Sequence, residues 1–173
     1  TKIVAATTAR QEVLVWTDSS LYSLQYVGAP SVWAATLVGE NISISSQNAV
    51  AYANGIAYWM GKDKFYIYDG RTQTLKCDVR KYIFNDLDEN QFAQVVAGTN
   101  EGFHEIWWFY CSSGSTTIDR YVIYNYLEKI WYYGTLARTA WLDSGLRDKP
   151  LAATYDLNLV DHEEGIDDNA GSS

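Results

Sequence analysis

The stretch that decides the fold is a pair of aromatic-rich runs in the middle of the chain. Glu105-Ile106-Trp107-Trp108-Phe109-Tyr110 is followed by a turn-forming segment, residues 111–117, and then by Tyr121-Val122-Ile123-Tyr124-Asn125-Tyr126. Aromatic and β-branched residues favour strands, and small polar residues with Gly between two such runs are typical of a hairpin. The stretch therefore predicts an antiparallel hairpin.

Similar hairpins occur on both sides of this one. Upstream, Glu12-Val13-Leu14-Val15-Trp16 pairs with residues 21–27, and Ile56-Ala57-Tyr58-Trp59 pairs with Phe65-Tyr66-Ile67-Tyr68. A fainter copy follows downstream, in residues 152–155 and 157–160. Trp16, Trp59, Trp108 and Tyr155 mark the copies at intervals of 43, 49 and 47 residues. A period of this size with several short strands per unit is the signature of β-propeller blades.

Further strand candidates lie between the hairpins, at residues 31–38, 42–53, 76–84, 92–97 and 129–140. They bring each unit to about four strands, as a blade requires. We therefore expect residues 1–173 to form a single all-β domain of β-propeller-like blades, each of four short antiparallel strands. The units are residues 10–50, 51–97 and 98–145, with a partial unit at 146–168 and a flexible tail at 169–173. Because a closed propeller needs at least about four blades, we expect the chain to be part of a larger propeller. A smaller sheet sandwich is the alternative.

Composition narrows the classes of function. Hydrophobic residues make up 47% and aromatic residues 15% of the chain, which fits a folded, sheet-rich domain. The net charge of −8 repels phosphate and argues against sequence-specific nucleic-acid binding. No apolar run approaches the roughly 18 residues of a membrane-spanning helix.

No motif predicts catalysis, a cofactor or a metal. Asp18, Asp63 and Asp69 lie at turns, where their side chains hydrogen-bond the local backbone. His104 and His162 fit no catalytic triad motif, and Cys77 and Cys111 are expected to be free, partly buried thiols. The acidic segment 161–169 lacks the spacing of an EF-hand loop, so a solvated loop is expected there.

Several stretches resemble large propeller-containing tail and neck proteins of tailed bacteriophages, of the packaged-DNA stabilisation, tail-hub or nozzle type. The resemblance covers residues 10–168 and rests on four stretches: Val13-Leu14-Val15-Trp16-Thr17-Asp18 with Leu21-Tyr22; Tyr58-Trp59-Met60-Gly61 leading to Phe65-Tyr66-Ile67-Tyr68-Asp69-Gly70; Glu105-Ile106-Trp107-Trp108-Phe109-Tyr110 leading to residues 119–126 and Trp131; and His162-Glu163-Glu164-Gly165-Ile166-Asp167.

The resemblance implies a structural, non-enzymatic virion protein, assembled in the host cytoplasm. Its partners would be copies of itself in a ring and neighbouring tail or portal-adaptor proteins, and it would line the route of DNA exit with only passive DNA contact. The candidate contact residues are the aromatics outside the repeated hairpins, for which packing in an outer strand is the alternative: Trp33, Trp131, Tyr132, Tyr133 and Trp141.

Two other functions fit the same sequence. In a carbohydrate-binding propeller, exposed Trp16, Trp59 and Trp108 would stack on sugar faces, although these residues are better explained as core. A glycoside hydrolase would need two carboxylates about 5–10 Å apart across a cleft, which the sequence does not reveal.

Overall fold

The computed structural model describes residues 1–143 and 149–162. It is mostly β-structure, arranged as four antiparallel sheets that follow one another along the chain. The expected tail at 169–173, the acidic residues after His162 and part of the fourth repeat unit lie outside the described residues. None of the helices within the described ranges has the length and apolar character that crossing a bilayer requires.

Each sheet is a meander in which strands consecutive in sequence are neighbours in space. Sheet 1 contains β1 (Ile3–Thr8), β2 (Val13–Thr17), β3 (Ser20–Gly28) and β4 (Val32–Glu40). Sheet 2 contains β5 (Val50–Ala53), β6 (Ile56–Met60), β7 (Phe65–Tyr68) and β8 (Thr72–Leu75). Sheet 3 contains β9 (Val96–Asn100), β10 (Glu105–Tyr110), β11 (Arg120–Asn125) and β12 (Ile130–Thr135). Sheet 4 has three described strands, β13 (Ala140–Leu142), β14 (Leu151–Ala153) and β15 (Leu159–Asp161).

The four sheets pack against one another in chain order through aromatic contacts. Trp16 of sheet 1 meets Trp59 of sheet 2 edge-to-face, with ring centroids 5.2 Å apart. Phe65 of sheet 2 lies 4.9 Å from Trp108 of sheet 3. Trp107 stacks at 4.9 Å on Trp141 of sheet 4. Because side chains alternate across a strand, the adjacent residues Trp107 and Trp108 serve two different interfaces.

The first strands of neighbouring sheets also lie side by side, β5 against β9 and β9 against β13. The sheets thus converge along their first strands. Their last strands, β4, β8 and β12, are sheet edges on the opposite side.

Three of the four predicted hairpins are confirmed, and the fourth is present with shorter strands, β14 and β15. β2 pairs with β3, β6 with β7 and β10 with β11, all antiparallel. The three tryptophans lie at the fourth position of the second strand of their sheets and are fully buried, as expected for core residues. They do not all face the same way, however: Trp16 points towards the following sheet, whereas Trp59 and Trp108 point towards the preceding one. Tyr155 is not in a strand, and its hydroxyl accepts a hydrogen bond from the Ile118 amide.

Three predicted strands were wrong in whole or in part. Residues 76–84 were expected as a strand, but the helix α1 (Arg80–Asp86) covers most of that range and buries Ile83. Residues 42–49 are irregular, because the Ser45 amide and hydroxyl both bond the carbonyl of Met60 instead of a ladder partner. Residues 92–97 begin within a 3₁₀ segment, Glu89–Gln94, before β9 starts.

Other strand boundaries also differ from the prediction. The sequence pattern missed β1, so the first sheet begins at Ile3 and not near residue 10. The range 129–140 is not one strand but β12 and the start of β13.

Candidate functional site

The most unusual surface of the molecule is the side of sheet 1 that faces away from sheet 2. On the other side, Leu14, Trp16 and Leu21 are fully buried against sheet 2. Val13 and Val15 must therefore point the opposite way, since successive side chains alternate between faces.

Strand register extends this surface across the sheet, because directly paired residues share a face. Val15 pairs with Tyr22, which pairs with Leu37; Val13 pairs with Leu24, which pairs with Ala35; Tyr26 pairs with Trp33. Ala6 and Thr8 of β1 pair with Val15 and Val13. We call these ten residues the outer face of sheet 1: Ala6, Thr8, Val13, Val15, Tyr22, Leu24, Tyr26, Trp33, Ala35 and Leu37.

The outer face of sheet 1 contains no charged residue and only one residue, Thr8, that is neither apolar nor aromatic. Tyr26 and Trp33 are 67% and 56% exposed and contact each other edge-to-face at 5.8 Å. An antiparallel sheet with one face in water normally carries polar side chains there. An apolar face of this extent is typical of a surface that binds another protein element.

Sheets 2 and 3 show what such a sheet looks like when both faces are covered. In β6, Trp59 contacts sheet 1, while Tyr58 contacts Tyr124 of sheet 3 and Tyr126 in the turn that follows it, with centroid distances of 6.0 Å for both pairs. β2 has the same uninterrupted apolar character as β6, but only one of its faces has a neighbouring sheet among the described residues.

The five predicted contact residues are placed in different environments. Trp33 lies on the outer face of sheet 1. Tyr132 and Tyr133 are about half exposed on β12, and Tyr133 packs at 4.4 Å against Tyr82 of α1. Tyr132 and Tyr133 share β12 with Trp131, whereas Trp33 is in β4 and Trp141 in β13, so the five residues do not form one surface.

Trp131 and Trp141 take part in packing within the chain. Trp131 lies 4.7 Å from Phe65, and its indole N–H donates to the carbonyl of Lys76. The indole N–H of Trp141 donates to the carbonyl of Thr99, and its ring stacks on Trp107. Both join neighbouring sheets. Trp131 does so from β12, the last strand of its sheet, as in the alternative of packing in an outer strand, whereas Trp141 does so from β13, the first strand of sheet 4.

Sequence reasoning missed most of the outer face of sheet 1. Val13, Val15, Tyr22 and Leu24 lie in the repeated hairpins, whereas contact residues were sought only outside them. The available signal was the uninterrupted apolar run of β2, which requires a partner on each face.

An open depression of about 480 Å³ lies where the first strands converge. Residues from the first strand of each of the four sheets line this depression: Thr7 of β1, Tyr52 of β5, Thr99 of β9 and Trp141 of β13. The Asp143 carboxylate also lines it, and accepts hydrogen bonds from the Thr99 hydroxyl at 2.6 Å and the Glu101 amide at 3.0 Å.

The cysteines and histidines are in structural environments. Cys77 and Cys111 are free thiols, as predicted, and burial raises the pKa of each to about 11, which keeps them protonated and poorly nucleophilic. His162 packs at 4.5 Å on Trp141, and its Nε2 accepts a hydrogen bond from Arg138. Burial, reinforced by the Arg138 charge, lowers the pKa of His162 to about 4. Within residues 1–143 and 149–162, no group of three or more His, Cys, Asp or Glu residues could hold a metal ion.

Comparisons with known proteins add little. No family model matches the chain, and no curated protein matches it in sequence. One solved structure, an S. cerevisiae complex of a dbp5 variant with nup159, a gle1 variant, IP6 and ADP, contains a chain that is similar over 93% of this one, at 9% identity and a TM-score of 0.40. This chain spans 60% of that one. A TM-score of this size establishes no shared fold.

Proposed function

We propose that this chain is a segment of a β-propeller that works by assembly, as a structural component of the tail or neck of a tailed-phage virion. The observation that carries the proposal is the uncharged outer face of sheet 1, which is built like the covered faces of sheets 2 and 3. A surface of this kind stabilises an assembly by being buried in it, since apolar burial contributes about 25 cal/mol per Å².

The arrangement of the sheets supports the propeller part of the proposal. Propeller blades are four-stranded antiparallel meanders whose first strands surround a common axis. Sheets 1 to 3 are such meanders, and residues from the first strands of all four sheets line one depression. The depression would then lie at the propeller axis.

The virion part of the proposal is supported by the sequence resemblance and by charge. The net charge of −8 suits a protein past which DNA moves, because an acidic surface does not hold the DNA backbone. In this role the chain would contact copies of itself in a ring, and neighbouring tail or portal-adaptor proteins.

The test is the protein composition of purified virions of the phage that encodes the sequence. Peptides from this chain should be found by mass spectrometry in stoichiometric amounts, and antibodies against it should label the tail or neck in electron micrographs. Infected-cell lysates in which the chain stays outside purified particles would refute the virion assignment.

The depression favours one other function, carbohydrate binding. Tyr52 and Trp141 offer aromatic surface there, and Glu101 and Asp143 offer hydrogen-bond acceptors. The tryptophans first considered for this role, Trp16, Trp59 and Trp108, are fully buried and cannot stack on a sugar. Binding on a glycan array that is competed by free sugar and lost in Tyr52→Ala, but kept in Trp33→Ala, would support this alternative. Absence of binding across a broad array would eliminate it.

A further inference from the structure

A second surface, mostly apolar, lies at the other end of the row of sheets. Trp141, Ala152 and Val160 are paired in register, and Trp141 contacts sheet 3. The alternate residues of β13, β14 and β15 therefore point away from sheet 3. We call these the outer face of sheet 4: Ala140, Leu142, Leu151, Ala153, Leu159 and Asp161.

This second surface is also strongly exposed. Leu142 is 63% and Leu159 71% exposed, and five of the six residues on the face are Ala or Leu. The chain thus carries an apolar sheet face at each end of the row, and the two faces point in opposite directions along it.

We propose that the outer face of sheet 4 of one copy packs on the outer face of sheet 1 of a second copy. This inference rests on the proposed function and names the partner of the same surface. The contact continues the packing already present inside the chain, where each sheet lies face to face with the next through aromatic and aliphatic side chains.

The proposed contact joins two different faces, the outer face of sheet 4 and the outer face of sheet 1. A contact between unlike surfaces is heterologous, and such contacts build closed rings when the rotation between copies permits. Two copies joined through both of their contacts would place two sets of four sheets in one ring. Eight sheets are within the range of about 4–8 blades found in closed propellers.

The proposal can be tested in the whole chain by introducing one charged residue on one face at a time. Leu37→Glu changes the outer face of sheet 1, and Leu159→Glu changes the outer face of sheet 4. The matched control is Leu127→Glu, because Leu127 is 67% exposed in the turn between β11 and β12, away from both faces. Sedimentation velocity over a dilution series reports the oligomeric state, and circular dichroism melting confirms that each variant is folded.

We expect wild-type chain and Leu127→Glu to form the same dimer. Leu37→Glu and Leu159→Glu should each dissociate at least ~10-fold more readily, since a few central residues carry most of the binding energy of an interface. An equimolar mixture of the two face variants should form a heterodimer, because Leu37→Glu retains an intact sheet 4 face and Leu159→Glu an intact sheet 1 face.

Three results would overturn the proposal. Dimerisation that is lost in Leu37→Glu but unaffected in Leu159→Glu would show that sheet 1 pairs with itself. A mixture that associates no more tightly than either variant alone would contradict the heterologous contact. A wild-type chain that stays monomeric at all concentrations would exclude a second copy as the partner, while the search for the chain in virions would still decide the proposed function separately. Should Leu37→Glu fail to fold, Trp33→Ala is the second variant of the sheet 1 face.

Discussion

Sheets 1 and 3 are built from similar strands but have different surroundings. β10 of sheet 3 sends Trp108 towards sheet 2 and Trp107 towards sheet 4, and both are buried. β2 of sheet 1 is equally apolar, yet within residues 1–143 and 149–162 only Leu14 and Trp16 have a sheet to pack on. The comparison teaches that an uninterrupted apolar strand calls for two neighbouring sheets. We interpret the uncovered side of sheet 1 as an assembly surface for this reason.

The largest difference in the free energy of unfolding is expected between two Trp→Ala substitutions, one at a covered face and one at the uncovered face. Trp108→Ala removes a fully buried ring from between sheets 2 and 3 and should lower the free energy of unfolding by ~3–5 kcal/mol. Trp33→Ala, on the outer face of sheet 1, should change it by less than ~1 kcal/mol. Denaturant melts of both variants measure this, and equal losses would contradict the distinction between covered and uncovered faces.

A smaller loss is expected at Gly98, where sheet 3 meets sheet 4. A Cβ at this position would collide with the ring of Trp141. Gly98→Ala should therefore destabilise the chain by ~1–3 kcal/mol, the usual cost of overpacking. Gly102→Ala is the control, because a Cβ there meets nothing within 4 Å. If both variants melt at the wild-type temperature, that result would contradict the close contact between Gly98 of sheet 3 and Trp141 of sheet 4.

The indole N–H groups of Trp16 in sheet 1 and Trp108 in sheet 3 differ in their hydrogen bonding. The Trp108 N–H donates to the carbonyl of Ala49 at 2.9 Å, whereas the buried Trp16 N–H has no acceptor within the described chain. Trp108→Phe leaves a buried carbonyl without its donor, and Trp16→Phe removes an unsatisfied donor. We expect Trp108→Phe to be the more destabilising by ~1–3 kcal/mol in chemical denaturation. A larger loss for Trp16→Phe would contradict this.

A further expected effect is a dependence of stability on pH through His162. Its folded-state pKa, about 4, is below its ordinary value of 6.5, so the unfolded chain binds the proton first. The contribution of His162 to the free energy of unfolding is complete above pH 6.5 and is lost as the pH falls towards 4. Subtracting the pH profile of His162→Gln from that of wild type isolates the contribution. A His162→Gln profile parallel to that of wild type would refute the assignment.

The hairpins could be predicted because their signals are local. Residues 105–126 combine β-favouring side chains with turn chemistry, and neighbours in sequence become neighbours in the sheet. Local signals do not reveal which face of each strand is covered, since that depends on the neighbouring sheet.

The failures have tertiary causes. Tyr82, Ile83 and Phe84 favour strands, yet they lie in α1, where Ile83 is buried and Asp86 accepts a hydrogen bond from the Tyr110 hydroxyl. Long-range contacts of this kind override local propensity. The same limit applies to the candidate contact residues: Trp131 and Trp33 look alike in the sequence, but only the packing shows that one joins two sheets and the other faces out.

The central claim is that the outer face of sheet 1 is covered in the working assembly. Electron cryo-microscopy of the purified particle that contains this chain tests it most directly. We predict density for another β-sheet packed on Val15, Tyr22 and Leu37, within a ring around an axial channel. A particle in which these side chains face solvent would contradict the account.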